Sequence, residues 1–313
     1  MSQQSPTSVF RKRDLPLYYL LYLVSLLPFA VLYKFSDGLS WLFWNVIKYR
    51  KNVVLNNLQA SFPGLTEQKK MQIGREFYRN LTDVILETVK LTSISAEELK
   101  SRIYVENNQA LIDHVAAGNS FVILASHHCN WEWVFAIGPS AYDLAIYGVY
   151  KPLKSTFFET YMRYIRTRQG GVLIKMKETM RQLVTTRREP KAVSMVADQT
   201  PPFGEIQHWT YFLNQETAFY AGAEKIAKAF NYPVYFVHSH RLSRGHYKLI
   251  VERIDDQVTP ERAEASNFPI IDIYAEKLEA LIKSEPAAYL WSHKRWKHKR
   301  SVKTENIMAA GIN

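Results

Sequence analysis

The sequence predicts an α/β fold with a central mixed, largely parallel sheet flanked by helices. Short, continuously apolar runs of strand length alternate with longer stretches in which apolar residues recur at helical spacing. A strand that is apolar on both faces needs helices on each side, which is the arrangement of α/β domains. Because 47% of the 313 residues are hydrophobic and 22% are charged, the chain has enough apolar side chains for a substantial core.

An uncharged segment lies near the N-terminus. Residues 15–33, LPLYYLLYLVSLLPFAVLY, contain no charged side chain, and as one helix they would extend about 28 Å, close to the hydrocarbon thickness of a bilayer. Basic residues precede this segment, and no small-residue cleavage site follows it. We therefore expect a retained hydrophobic membrane-anchor helix within residues 1–35 and one domain over residues 36–313. Pro28 also permits a kinked helix that does not fully cross, and a buried core helix of a soluble protein is the alternative.

The predicted elements follow in order. Residues 48–100 have a helical pattern, in which Pro63-Gly64 ends one helix and residues 71–91 form a second, amphipathic one. A turn at 243–245 pairs the last two predicted strands as a hairpin. Strands are predicted at 121–126, 144–150, 192–197, 234–238 and 247–254. Further helices are predicted at 133–141, 157–168, 177–186 and 218–230.

The charge balance favours anionic partners. Lys and Arg outnumber Asp and Glu by 40 to 29, which gives a formal net charge of +11. Residues 293–300, HKRWKHKR, are predicted as a basic C-terminal tail. Beside a membrane anchor, an anionic membrane or an acidic protein explains this charge better than nucleic acid does. The single cysteine, Cys129, cannot form an internal disulfide.

The segment SHHCNWEW, residues 126–133, follows the predicted strand 121–126 and precedes a helix. Ligand sites of open α/β sheets lie at the carboxyl ends of strands. If His127 lies in the loop and Glu132 in the first helical turn, Glu132 can accept one imidazole N–H and leave the other nitrogen free as a base. The spacing therefore predicts a histidine base with an orienting carboxylate, which activates a substrate hydroxyl without a protein nucleophile.

Other interpretations of this segment are open. A His-x4-Glu pair also arises by chance, as a surface histidine and a helix-capping glutamate. Nothing independent supports Cys129 as a nucleophile, and a small buried residue is the simpler interpretation. The spacing of His127, His128 and Glu132 matches no zinc motif, so we expect neither a metal nor an organic cofactor. His128 is an alternative to His127 as the base.

The segment SHHCNWEW resembles the active-site motif of the late acyltransferases of lipid A biosynthesis, the lauroyl/myristoyl acyltransferases of the lysophospholipid-acyltransferase-like superfamily. Their signature is a His followed after four residues by Asp or Glu. At Cys129 this sequence departs from the glycine that related members commonly have. Further similar segments lie in order along most of the chain: YRKNVV, NL and SFP within 49–63, RTRQG at 166–170, ADQTP at 197–201, FLN and TAF within 212–219, and WSHKRWK at 291–297.

The resemblance implies an acyl-carrier-protein-dependent O-acyltransferase. A fatty acyl group would move from the carrier's thioester to a hydroxyl of an anionic lipid acceptor, the Kdo-bearing lipid A precursor, with His127 and Glu132 as catalytic residues. It also implies a location at the bacterial inner membrane with the active site facing the cytoplasm. The alternatives are transfer to another membrane glycolipid or aminolipid, and a non-catalytic basic membrane-binding protein.

Five further residues are candidate substrate contacts. The resemblance assigns this role to Arg166 and Arg168, because the planar guanidinium suits phosphate or carboxylate recognition. Asn130 is expected to help hold the oxyanion of a tetrahedral intermediate. Asp198 follows a predicted strand, where it either contacts substrate or makes a structural hydrogen bond. Thr217 either contacts substrate or caps the next helix.

Overall fold

The computed structural model describes residues 5–106 and 108–300. Its strands are β1 (Ile103–Val105), β2 (Phe121–Ala125), β3 (Ala145–Tyr150), β4 (Val172–Lys175), β5 (Lys191–Val196), β6 (His208–Phe212), β7 (Gln215–Phe219), β8 (Val234–Ser243) and β9 (His246–Arg253). Its α-helices are α1 (Pro6–Val9), α2 (Leu15–Leu26), α3 (Phe29–Trp41), α4 (Lys51–Ser61), α5 (Glu67–Lys90), α6 (Ala96–Arg102), α7 (Gln109–Ala116), α8 (Trp131–Tyr142), α9 (Thr156–Thr167), α10 (Thr179–Thr185), α11 (Gly222–Phe230), α12 (Pro260–Ala265) and α13 (Pro269–Ser284).

A seven-stranded sheet forms the centre of the described chain. Its strand order is β1-β9-β8-β2-β5-β3-β4. Every neighbouring pair in this sheet is parallel except the hairpin β8-β9. The central strand β2 lies between β8 and β5. This arrangement confirms the predicted mixed, largely parallel sheet.

Helices cover both faces of the sheet, because alternate side chains of a strand point to opposite sides. On one face, Val122 and Leu124 of β2 pack in a core with residues of α4, α11 and α13. On the other face, Phe121 and Ile123 pack with residues of α7, α8 and α9. The buried strands therefore need apolar residues at successive positions, which is the pattern that the sequence shows.

The N-terminal helix differs from the prediction. The single anchor helix expected over 15–33 is instead two helices, α2 and α3, whose axes are bent by 115°. The break falls at Leu27 and Pro28, where proline forces the preceding residue into an extended conformation. Within the described residues, no single helix is long and apolar enough to cross a membrane, although the bent pair meets that criterion by length and composition.

A second difference concerns residues 208–230, of which 218–230 were predicted as helical. The structure has an antiparallel hairpin, β6-β7, and only then α11. Leu213 and Asn214 form its two-residue turn, and both have positive φ angles, as tight hairpin turns of this length require. Consequently Thr217 lies inside strand β7 and does not cap a helix.

Candidate active site

The register of the parallel sheet brings two predicted site residues together. Ala125 at the end of β2 pairs with Val196 at the end of β5. His127 and Asp198 each lie two residues beyond these paired positions, at the carboxyl edge of the sheet. Parallel neighbours end side by side, so the two side chains meet although 71 residues separate them in the chain.

Asp198 holds His127 by two hydrogen bonds. The imidazole Nδ1 of His127 lies 2.7 Å from Oδ1 of Asp198, and the backbone N–H of His127 donates to Oδ2 at 2.9 Å. A carboxylate on Nδ1 requires the proton there and leaves Nε2 as the basic nitrogen. The side-chain amide of Gln199 lies 3.2 Å from Nε2 and donates to it in this tautomer.

Asp198 is ionised, as a carboxylate that accepts a hydrogen bond from an imidazole N–H must be. Burial by itself raises the pKa of this carboxyl, whose residue is only 2% exposed. The charge of His127 and its hydrogen bonds to the carboxylate outweigh burial and hold the pKa below its usual value. Asp198 is therefore an ionised carboxylate that orients the imidazole and stabilises its positive charge.

Glu132 does not make the predicted contact with His127. No hydrogen bond joins these two residues in the part of the chain that the structure describes. Instead, Nε and Nη2 of Arg166 donate to Oε2 and Oε1 of Glu132 at 2.8 and 2.6 Å. The indole N–H of Trp131 also donates to Oε1, at 3.2 Å. Glu132 stands in the first turn of α8, as predicted, but it fixes a guanidinium from α9.

Arg166 carries a positive charge beside Glu132. Burial lowers the pKa of Arg166, but the adjacent Glu132 more than compensates and raises it above its usual value. Two parallel N–H···O bonds give the pair a fixed orientation that a lysine would not provide. The two bonds to Glu132 come from Nε and Nη2. The N–H groups of Nη1 are therefore not used by this pair.

His127 and Gln199, together with the Glu132–Arg166 pair, line one end of an apolar cavity, which we call its mouth. The cavity has a volume of about 310 Å³ and lies between α8 and the sheet face that carries Phe121 and Ile123. On this face of the sheet, residues paired across neighbouring strands lie side by side in the cavity wall, and we call each such row a level. Successive levels are two residues apart along each strand. From mouth to interior the levels are Ala125 with Val196, Ile123 with Ser194 and Gly148, and Phe121 with Ile146. The polar residues at the mouth include His127, Glu132, Lys151, Arg166, Gln199 and Tyr220.

A comparison with protein families matches residues 15–298 to the bacterial lipid A biosynthesis acyltransferases. The chain belongs to this family. No curated protein matches the chain. The family assignment confirms the resemblance that the sequence motifs indicated, and it makes the protein an enzyme of the acyltransferase class.

In this acyltransferase, three of the predicted substrate contacts make hydrogen bonds within the fold and do not line the cavity. Arg168 donates from Nη1 to the carbonyl oxygens of Leu91 and Ile94, just beyond α5, at 3.1 and 2.8 Å. Asn130 is the N-cap of α8: its Oδ1 accepts the N–H of Trp133, and the residue is 1% exposed. It therefore does not face the cavity as an oxyanion donor.

Thr217 is likewise enclosed within the fold. Its hydroxyl donates to the carbonyl of Gln215 at 2.9 Å and accepts the indole N–H of Trp296 at 2.8 Å. These bonds tie the β6-β7 hairpin to the C-terminal segment. The predicted basic tail also differs in part, because Arg295 within it is buried, at 2% exposure.

Neither His128 nor Cys129 lines the cavity. Burial lowers the pKa of His128 to about 4, and its two ring nitrogens face the carbonyl oxygens of Ser239 and Glu285. Burial raises the pKa of the Cys129 thiol to about 12, so the thiol is protonated at neutral pH. The geometry thus favours His127 over both alternatives. Sequence reasoning did not identify Gln199 as a site residue, although its position beside Asp198 at a strand end was a usable signal.

Proposed function

We propose that this acyltransferase moves a fatty acyl group from the thioester of acyl carrier protein to a hydroxyl of a lipid A precursor, with His127 as the general base. One observation carries the proposal. Nε2 of His127 lies at the mouth of an apolar cavity, while Asp198 fixes Nδ1 on the opposite side of the ring. A base that faces an acyl-sized channel suits attack by a hydroxyl on an acyl group.

The proposed step begins with the acceptor hydroxyl in the place that the Gln199 amide occupies near Nε2. Nε2 removes the hydroxyl proton as the oxygen attacks the thioester carbonyl carbon, and a C–O bond forms. The tetrahedral intermediate then collapses, the C–S bond breaks, and the departing thiolate takes the proton from the imidazolium. General-base help of this kind contributes about 10²–10⁴-fold in rate.

Arg166 supplies positive charge where the oxyanion develops. Its Nη1 donors are not used by the pair with Glu132, and the residue lines the cavity mouth. Donors that are already oriented stabilise a developing negative charge without having to reorganise. In this proposal Glu132 acts on the reaction by orienting Arg166, and Asp198 takes the role of orienting the base.

The acyl chain occupies the apolar cavity. Four residues of β2 separate the mouth level at Ala125 from the interior level at Phe121, which corresponds to about 13 Å of strand. The wall consists mainly of apolar side chains, and His127 lines one end of it. A chain inserted from that end would leave its thioester carbon beside the base.

We further propose that the protein works at the cytoplasmic face of the bacterial inner membrane, where its lipid acceptor lies. Helices α2 and α3 expose a row of large apolar side chains, and basic residues at 11–13 precede them. An apolar face with adjacent cations suits helices that lie in the interface of an anionic membrane. The exposed apolar residues of the two helices include Leu20, Leu23, Leu26, Phe35 and Trp41.

Mass spectrometry of the reaction products tests this function. Purified enzyme is incubated with a Kdo-bearing lipid A precursor and acyl carrier proteins that carry chains of several lengths. We expect one added acyl group with the wild type and a rate about 10²–10⁴-fold lower with His127→Ala. The control is His246→Ala, since His246 is exposed at the β8-β9 turn. Transfer at the wild-type rate by His127→Ala contradicts the mechanism, and transfer only to another lipid contradicts the acceptor.

A further inference from the structure

A second cluster of reactive side chains lies on the same β2–α8 loop as His127. His128, Cys129 and Glu285 present a nitrogen, a sulfur and an oxygen atom, all within 4.8 Å of one another. We propose that these three side chains form a binding site for one divalent transition-metal ion of the zinc type. This site is separate from the cavity and from the proposed acyl transfer.

The distances are close to those of a coordination shell. Sγ of Cys129 lies 3.9 Å from Oε2 of Glu285. Zinc bonds of about 2.0–2.3 Å in a tetrahedral shell place neighbouring ligand atoms about 3.5 Å apart. The three side chains therefore need to converge by only about one ångström to hold an ion. A thiolate, an imidazole and a carboxylate together are ligands that zinc accepts and that magnesium or calcium does not select.

The hydrogen bonds around His128 leave one ring nitrogen available. Nδ1 lies 3.3 Å from the carbonyl oxygen of Ser239, and Nε2 lies 3.4 Å from the carbonyl oxygen of Glu285. A neutral imidazole has one N–H, so only one of these contacts is a hydrogen bond. With the proton on Nδ1, Nε2 has no donor of its own, and its lone pair is free to bind an ion. Metal-binding histidines typically donate their other N–H to a backbone carbonyl in this way.

Glu285 is oriented by a neighbouring histidine. Nδ1 of His240 in strand β8 lies 2.5 Å from Oε1 of Glu285. The other oxygen, Oε2, is the one nearest the sulfur of Cys129. The carboxylate thus has one oxygen held by the protein and one directed at the proposed ion, as expected for a supported ligand.

Cys129 has a backbone conformation that is unfavourable for its residue type. Its φ of 52° lies in the left-handed region, which glycine adopts without a steric penalty. The contact from the thiol to the carboxylate of Glu285 is long, at 3.9 Å. A metal ion would give this strained residue a strong interaction, because a bound dication stabilises the thiolate.

The proposed site can be reached from the protein surface. Cys129 and Glu285 both line a surface cleft of about 610 Å³, through which an ion and a water ligand can enter. Arg241 also lines this cleft, but its guanidinium pairs with Asp83. An ion here would tie the loop that carries His127 to the C-terminal end of α13, where Glu285 follows the last helical residue.

Metal binding by the purified full-length protein tests the proposal. The protein is stripped with a chelator and titrated with Zn²⁺ against a chromophoric competitor, and a parallel sample receives Co²⁺. We expect one Zn²⁺ per chain and a thiolate-to-cobalt charge-transfer band in the wild type. Cys129→Gly, which also relieves the backbone strain, and Glu285→Gln should each weaken binding by at least about 10–100-fold. Cys129→Gly should abolish the band.

Glu76→Gln is the matched control, because Glu76 lines the same cleft and is not among the proposed ligands. It should bind Zn²⁺ as the wild type does. The proposal is overturned if the wild type binds no more tightly than Cys129→Gly, or if its cobalt complex lacks the thiolate band. Circular dichroism checks that each variant is folded. If Cys129→Gly does not fold, the Zn²⁺ affinity of the wild type is compared with that of Glu285→Gln instead. Since the assay contains neither acyl donor nor acceptor, its result is independent of the transfer activity.

Discussion

Two buried carboxylates near the cavity differ in the side chain that each contacts. Asp198 contacts the imidazole of His127, whereas Glu132 contacts the guanidinium of Arg166. Asp198 reaches its partner because the parallel register of β2 and β5 places their ends side by side. Glu132 reaches its partner because α8 and α9 pack against each other. Sheet register therefore selects the carboxylate that contacts the imidazole of His127, and helix packing selects the carboxylate that contacts the guanidinium of Arg166.

Among the variants that test this comparison, Asp198→Asn, which removes the charge beside His127, has the largest expected effect. The amide is nearly isosteric, but it is uncharged and can donate to Nδ1, which favours the wrong histidine tautomer. We expect kcat to fall by about 10²–10⁴-fold with a smaller change in KM. Steady-state kinetics on the folded variant measure both constants.

Asp272→Asn is the matched control for this substitution. Asp272 also pairs with a histidine, His208, at 2.7 Å, but neither residue lines the cavity. We expect kcat close to that of the wild type. If Asp198→Asn and Asp272→Asn reduce kcat equally, Asp198 has no special role in orienting the base.

The sequence was sufficient for the sheet and for placing His127 just beyond the end of a central strand, but not for the carboxylate that contacts His127. The apolar runs at 121–126 and 192–197 marked two strands, since strands buried on both faces must be apolar throughout. The predicted contact between Glu132 and His127 was wrong, because spacing along one loop does not tell which neighbouring strand ends beside that loop. Asp198 was recognised as a site residue, but its contact depends on the register between β2 and β5, which no local pattern encodes.

The two arginines of the RTRQG segment illustrate the same limit. Arg166 and Arg168 are two residues apart in the helical region that ends α9, so their side chains point in different directions. Arg166 faces Glu132 at the cavity, and Arg168 faces carbonyl groups beyond α5. Sequence alone could not separate them, because both are basic residues in the same motif.

Arg166→Ala tests the role of the ion pair between Arg166 and Glu132. The substitution leaves the Glu132 carboxylate buried without its cation, and we expect a loss of about 3–5 kcal/mol in the free energy of unfolding together with a lower kcat. Arg168→Ala removes only hydrogen bonds to two carbonyls, so we expect a loss of about 2 kcal/mol and an unchanged kcat. Denaturant titration and kinetics measure the two effects. Equal loss of kcat in both variants would contradict the assignment of Arg166 alone to the site.

Ser194→Phe fills the middle level of the cavity without touching either carboxylate. Ser194 lies opposite Ile123 and Gly148 in the sheet, below the mouth. We expect kcat/KM for the longest accepted acyl chain to fall by about 10–200-fold, while that for short chains stays near the wild-type value. Competition between acyl carrier proteins of different chain length measures this preference. A uniform loss for every chain length would show that the chain does not enter this cavity.

His293→Gln has the smallest expected effect, because it changes a side chain that supports the loop after Asp198 and does not change Asp198 itself. Nε2 of His293 accepts the backbone N–H of Thr200 at 3.1 Å, two residues beyond Asp198, and it can do so only when unprotonated. Burial, followed by the nearby charge of Arg295, lowers the pKa of His293 to about 4.

The sign of the pH effect follows from this lowered pKa. Between the unfolded-state pKa of about 6.5 and the folded-state pKa of about 4, the unfolded chain binds more protons at this residue than the folded protein does. Stability should therefore decrease as the pH falls through this window. Because glutamine accepts the same N–H through its carbonyl without titrating, His293→Gln should match the wild type at neutral pH and lose less stability in acid. Unfolding midpoints measured across this pH range check the difference, and parallel curves for the two proteins would show that His293 is not held neutral.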